Sequence, residues 1–367
     1  MFPRSAPLLV VASLGLAACP AAPPAPPDAS LAPASPAPPP AAPPSPPAAP
    51  STPAAALQVI ARYPGAPPQP DRAAHVSAVA YSPDGALLAS AESSGRVLVR
   101  DVAGAVIVRL PDQGRQLSTL AFSPDGRRLL TVAHGDARFW DPRTGAELGR
   151  LQLGRMAALT YAPDGRRLVA SDDSRVVQLL DAVTGAVVRT LGAAKPDDEI
   201  RQNLMTPSAV AFTPDGKRIA VARWDQDVHI WDAATGALVQ TVPGLLHAAY
   251  SPDGRVLATG IGHISKRRTE LAIRLWDTAT GRELRTIDAE PGGDFSPAGD
   301  LLAALGKDGV ELWEVATGRL AARGAAPLHR AYCLAFSPDG KRAATGGGDG
   351  SVVVWSLDGL ARAPAPR

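Results

Sequence analysis

The six histidines, at positions 75, 134, 229, 247, 263 and 329, are the residues best suited to proton transfer or metal ligation near neutral pH. They are scattered along the chain. No His-Glu-x-x-His, no paired-cysteine spacing and no Gly-x-Ser-x-Gly stretch occurs. The spacings that put two zinc ligands on one helix face, or a nucleophile on a strand-to-helix elbow, are therefore missing. Gly346-Gly347-Gly348-Asp349-Gly350 is glycine-rich but lacks the Lys-Ser/Thr of a phosphate loop, and it joins two apolar runs instead of opening a helix. The two cysteines, Cys19 and Cys333, lie far apart. The residues give no motif-borne catalytic site, no metal site and no cofactor. A formal charge of +2, from 37 Lys and Arg against 35 Asp and Glu, gives no prior for nucleic acid.

The elements that must position any site are announced by a repeat. Ser-Pro-Asp-Gly or a near variant stands at Ser82–Gly85, Ser123–Gly126, Ala162–Gly165, Thr213–Gly216, Ser251–Gly254, Ser296–Gly299 and Ser337–Gly340. The steps between its prolines are 41, 39, 51, 38, 45 and 41 residues, a period of stacked four-stranded units. Proline presets φ at the first corner of the turn, Asp bonds its own backbone at the second, and Gly takes the left-handed exit. Short apolar runs such as Leu117–Phe122 and Arg128–Val132 flank the turns and read as buried strands.

A second mark keeps phase with the first. Phe139-Trp140-Asp141, Ile230-Trp231-Asp232, Leu275-Trp276-Asp277 and Leu312-Trp313-Glu314 are its clear copies; Val99-Arg100-Asp101, Leu179-Leu180-Asp181 and Val354-Trp355-Ser356 are worn ones. Thr-Gly follows most of them, at 144–145, 184–185, 235–236, 280–281 and 317–318. On these residues the chain, from about 57 to 357, resembles the WD40 repeat family. The resemblance implies an all-β fold: a seven-bladed β-propeller of four-stranded antiparallel blades. It also implies that His329, Thr345, Asp349 and Trp355 form a structural hydrogen-bond tetrad and not a catalytic cluster. The recurrent tryptophan reads as a large ring packed between blades, its N–H bonded to a partner.

Six outer strands follow the Trp-Asp marks, and none follows the seventh. The run Leu57-Gln58-Val59-Ile60-Ala61-Arg62-Tyr63 has the outer-strand pattern, so strand 57–63 is expected to complete the last blade beside Val352–Trp355 and remove the open edges.

Outside residues 57–360 the chain changes character. Arg4 precedes the apolar stretch Pro7–Leu16, too short for a mature membrane span. Leu16-Ala17-Ala18-Cys19 resembles the lipobox of bacterial lipoproteins. That resemblance implies removal of residues 1–18 and lipidation of Cys19, and Pro20 after the cysteine points to the outer membrane's periplasmic face or the cell surface over the inner membrane. Residues 20–53, dominated by Pro, Ala and Ser, cannot build a core and read as a semi-rigid tether within the segment 19–56. At ~3.1 Å per residue such a tether reaches about 100 Å. Residues 361–367 read as a disordered tail. Cys333 reads as a small core residue without a disulfide partner.

Both long repeat steps fall on one face of the ring, that of the second-to-third-strand hairpins and the crossovers. They contain the crossover Gly192–Pro207 and the hairpin Ile261–Glu270, in units four and five. Trp224, Asp225, Lys266, Arg267 and Arg268 cluster there as a candidate partner-binding patch, since aromatic and Arg side chains on loops of a rigid scaffold are the usual anchors. On the opposite face Arg127, Arg128, Arg166, Arg167, Lys217, Arg218, Arg255, Lys341 and Arg342 follow the turns and read as solvated exits. The function expected is a non-catalytic protein-interaction scaffold or recognition module, monomeric, held to a cell envelope through lipid on Cys19, with an unidentified protein partner and no nucleic acid. The alternatives are a small-ligand or glycan sensor using the channel, and a hydrolase or lyase on the propeller.

Overall fold

A computed structural model of the chain describes residues 54–65, 75–114, 117–153, 156–172, 177–191, 209–222, 227–244, 247–265, 268–306, 309–325 and 330–360. These form seven four-stranded sheets, the blades of a closed propeller. Blade one is Val76–Tyr81, Leu87–Glu92, Val97–Asp101 and Val106–Arg109. Blades two to five repeat this meander from Leu117, Met156, Ala209 and Ala248.

The Ser-Pro-Asp-Gly turns are built as their residue types dictate. Ser82 Oγ donates to Asp84 Oδ1 (2.5 Å) while accepting the Leu87 N–H (2.9 Å); Asp84 Oδ1 accepts the Ala86 N–H (3.0 Å). Gly85 takes φ +69°, the left-handed conformation that favours glycine. A Cβ there would meet the Pro338 ring of the preceding blade's turn at 3.5 Å. The same nesting recurs at Gly126 on Pro83, Gly165 on Pro124, Gly254 on Pro214 and Gly299 on Pro252. At these turns the proline thus seats the next turn's glycine.

An aromatic residue precedes every turn: Tyr81, Phe122, Tyr161, Phe212, Tyr250, Phe295 and Phe336. Its identity follows the neighbouring blade. The Arg342 guanidinium lies 5.9 Å from the Tyr81 ring centre, and the charges of Arg128 and Arg218 act on the Tyr161 and Tyr250 hydroxyls. Each arginine stands two residues past the preceding blade's turn glycine. Where that position holds Leu87, Val256 or Leu301, the next aromatic is Phe122, Phe295 or Phe336. Arg167 before Phe212 is the exception, and its turn explains it. Ala162 supplies no hydroxyl there, and Arg167 Nε bonds Asp164 Oδ2 instead (2.9 Å).

The tryptophans obey a similar rule. Trp140, Trp276 and Trp355 each donate Nε1–H at 2.9 Å to a threonine, respectively Thr131, Thr259 and Thr345. That threonine lies two residues beyond the tryptophan's cross-strand neighbour: Leu129, Leu257 and Ala343. In blade one Arg100 replaces Trp and Ser90 replaces Thr, and Arg100 Nη1 donates to Ser90 Oγ at 2.9 Å. In blade six the corresponding residue is Ala304, and Trp313 Nε1 is buried without a partner among the described residues.

The ring closes as expected. Gln58–Tyr63 pairs antiparallel with Val352–Ser356, from Gln58↔Ser356 to Tyr63↔Val352. Blade six departs from the expected pattern. Its first strand shrinks to one bridge, Phe295↔Leu302, and just before it Gly293 sits so close to the Ala303 carbonyl that no Cβ fits. Outside its own fourth strand, Leu320–Ala325, it gains a further short strand, Ala55–Ala56, running parallel to it on the outer edge. Its turn has Ala298 where Asp is usual, and Asp300 takes over from the other side by accepting Ser296 Oγ–H at 2.7 Å.

Candidate functional site

The crossover and hairpin face was expected to carry the partner patch, and one part of it is visible in the backbone. The hairpin of blade five is a ten-pair ladder, Val256–Ser265 against Arg268–Asp277, running from Val256↔Asp277 to Ser265↔Arg268. The inner half of that ladder matches other blades; the outer half is the insertion, regular β-structure instead of an irregular loop. Arg268 therefore stands at the far end of this hairpin. Trp224, Asp225, Lys266 and Arg267 lie outside the described residues, as do Cys19 and the crossover at 192–208.

Of the tetrad expected in blade seven, Thr345 and Trp355 are joined by the hydrogen bond above. Both are buried. Asp349 is bonded to the Ser351 N–H (2.9 Å) and hydroxyl (2.7 Å) and to Arg62 of the closing strand (2.6 Å). These bonds hold its carboxyl below the usual range against the opposing effect of burial. His329 lies outside the described residues. Glycine 346, in the same glycine-rich run, is crowded by Val76 and Cys333. The run is thus packed hairpin, in keeping with its lack of phosphate-loop residues. Burial pushes the Cys333 thiol up to about 12, and a neutral thiol is a poor nucleophile.

A feature of the channel wall was not singled out from sequence. Two residues before each turn stand Ala80, Ala121, Thr160, Ala211, Ala249 and Ala335, but Asp294 in blade six. Asp294 is solvent-exposed, yet it lies on the innermost edge, where Ala303 N–H bonds its carbonyl (2.9 Å). Enclosure by the blades raises its carboxyl to about 6, and the neighbouring Phe295 N–H (2.8 Å) only partly offsets this. Aligning the seven turns and reading backwards would have exposed this acid among small residues. Near the opposite end of the inner strands, Arg330 adopts φ +98° and reaches Glu290 of blade six (3.2 Å), and the His75 ring stacks on Tyr332 (4.8 Å). Among the described residues no group of three His, Cys, Asp or Glu converges to hold a metal.

The rim is apolar. The third residue after each Thr-Gly or equivalent turn is Ile107, Leu148, Val188, Val239 or Leu284, all exposed, and Ala321 in blade six. The basic turn exits on the opposite face stand beside their own carboxylates, as in Lys217–Asp215 (3.7 Å) and Arg255–Asp253 (4.0 Å).

Fold and surfaces together define a seven-bladed β-propeller built of repeats, a rigid ring presenting loops on two faces. Residues 69–101, 106–141, 205–232 and 327–356 match the model of the WD domain, G-beta repeat. The chain is also 31% identical, over 161 residues or 42% of its length, to telomerase protein component 1 of Mus musculus, of which it spans 6%.

Proposed function

We propose that this protein is a non-catalytic protein-interaction scaffold held at a cell envelope by lipid on Cys19. The observation that carries the interaction reading is a closed ring of which four stretches match the WD, G-beta repeat model and whose blade-five hairpin is lengthened as an ordered ladder. A prolonged hairpin on a rigid frame presents contact residues at low entropic cost. The partner surface is the crossover and hairpin face of units four and five, with Trp224, Asp225, Lys266, Arg267 and Arg268 as its anchors. In the envelope part of this reading, residues 19–56 are the tether, and the anchor lies at the periplasmic face of the outer membrane or at the cell surface.

Crosslinking capture from native envelopes tests the first part. Trp224→Ala with Arg267→Ala should lose a defined partner that the parent chain retains; unchanged capture of every partner would remove the patch. Metabolic labelling with an alkyne fatty acid tests the second. Label on the parent chain and none on Cys19→Ser is the expected outcome.

One observation favours a second reading, a small-ligand sensor using the channel. Blade six carries the acid Asp294 at the register position where the other blades carry Ala or Thr, and no cation acts on it among the described residues. Binding of an amine-bearing ligand lost in Asp294→Asn would support it.

A further inference from the structure

Six fourth strands in a ring of this kind follow their own third strand through a short turn. The seventh is covalently remote: Arg62 and Asp349, which it brings together, are 287 residues apart. It is held to blade seven by non-covalent contacts, and these reach further than one blade edge.

The segment spans three blades. Ala55 and Ala56 pair with Ala322 and Arg323 on the outer edge of blade six, and the Leu57 N–H bonds the Arg323 carbonyl at 3.0 Å. The Leu57 side chain, 9% exposed, enters the core between blades six and seven among Leu312, Val353 and Trp355. Residues 58–63 then pair with blade seven. Arg62 caps Asp349, and Tyr63 lies under the Arg100 guanidinium of blade one (5.0 Å) and fills the space beside Gly104.

The receiving groove is shaped for this segment. Blade six has Ala321 where five other rims expose a large aliphatic residue, so a strand can lie against its edge. Gly324 lies so close to the Trp355 ring that a Cβ would meet it at 2.7 Å, which draws the two blades together beneath Leu57.

We propose that the groove between the outer edge of blade six and the third strand of blade seven is a strand-binding site in its own right. Residues 54–65 fill it in cis, and the same segment from a second copy of the chain fills it in trans. The ligand chemistry is an extended segment with small residues first, a leucine for the seam, a guanidinium for Asp349 and an aromatic ring for Gly104. A second copy supplies every one of these contacts unchanged, which makes exchange of an identical element a low-cost route to a dimer. This inference does not depend on the anchor or on the partner patch.

The test uses the full chain with a protease-cleavable sequence replacing residues 67–72, cut after folding. A fluorescent peptide of residues 54–65 should displace the cut arm with one-to-one saturation. The Leu57→Ala peptide should bind at least about tenfold weaker, and the Ile60→Ala peptide, altered at an exposed position, within about twofold. No uptake, or uptake indifferent to Leu57, overturns the site. In parallel, two differently tagged uncut chains are warmed together and cooled. Co-purification as a mixed dimer, lost with Leu57→Asp in both chains, is expected. Failure of the tags to co-purify overturns exchange in trans, and that arm decides the matter if the cut chain does not hold its fold.

Discussion

Thr345 and Trp355 show how one hydroxyl fixes a ring. The indole N–H is buried, and its hydrogen bond to Thr345 Oγ1 is worth most when its loss leaves a donor stranded. Thr345→Val keeps the shape and removes the acceptor, so it should cost about 1–3 kcal/mol, read by denaturant unfolding. The converse holds in blade six, where Trp313 lacks an acceptor among the described residues. Ala304→Ser puts a hydroxyl at the register position that serves Trp140, Trp276 and Trp355 and should raise stability by about 1 kcal/mol; a lower melting temperature would mean that the added oxygen does not reach the indole. Two titrating groups work in opposite directions. Burial drives His247 from 6.5 down to about 4. Between these values the unfolded chain holds the extra proton, so this group's contribution to stability falls as pH drops from 6.5 to 4. Asp294 rises from 3.8 to about 6. There the folded chain holds the extra proton, and stability falls as pH rises through that window. Relative to the parent, His247→Leu should flatten the acid-side loss in melts between pH 6.5 and 4. Asp294→Asn should raise the melting temperature at pH 7.5 and leave it unchanged at pH 3.5.

At the scale of the element, the turns carry the fold and were the most legible part of the chain. Ser-Pro-Asp-Gly encodes its own hydrogen bonds locally, so seven copies could be read without knowing where the chain goes. The strands after Thr-Gly were legible for the same reason. What could not be read depends on contacts distant in sequence. Ala55 and Ala56 have little strand preference and become a strand only because the edge of blade six accepts them. The reduction of blade six's first strand to one bridge goes with a close approach of Gly293 to the Ala303 carbonyl, which periodicity does not report. The rescue of its turn by Asp300 hides for another reason: the replacement carboxylate comes four residues after the serine instead of two. Asp300 is buried and bonded to Ser296. Asp300→Ala should therefore destabilise the protein by about 1–3 kcal/mol, whereas Asp84→Ala, at an exposed turn, should cost less. Equal costs in denaturant unfolding would deny Asp300 this role. Of the candidate site, the position of the blade-five insertion was legible from the 45-residue step, but its regular ladder was not.

For the whole molecule, the informative contacts lie between blades. The tryptophan and its threonine share a blade, but the turn prolines, the Tyr–Arg pairs, the Leu57 seam and the contact of Gly104 with Tyr63 all cross from one to the next. The seven-fold count was evident from the repeat alone because it depends only on spacing. The Tyr–Arg rule was also present in the sequence, but only a known neighbour relation makes it readable, since each pair is split across a full repeat. Cooperative melting follows from this arrangement: loosening one seam withdraws support from two blades. A single transition should be seen by both tryptophan fluorescence and far-ultraviolet circular dichroism, and two separated midpoints would show that the blades melt independently.

The Tyr–Arg pairing also bears on how such a ring can be edited. Because three of the four arginines two past a turn glycine are followed by a tyrosine in the next blade, the surroundings of that aromatic are set partly by the preceding blade. Blades here are consequently not interchangeable parts. Moving blade five to follow blade one would set Tyr250 beside Leu87, and its hydroxyl would lose the charge that Arg218 now offers. The contacts that link neighbours span each seam, so a cut made at blade boundaries passes through them.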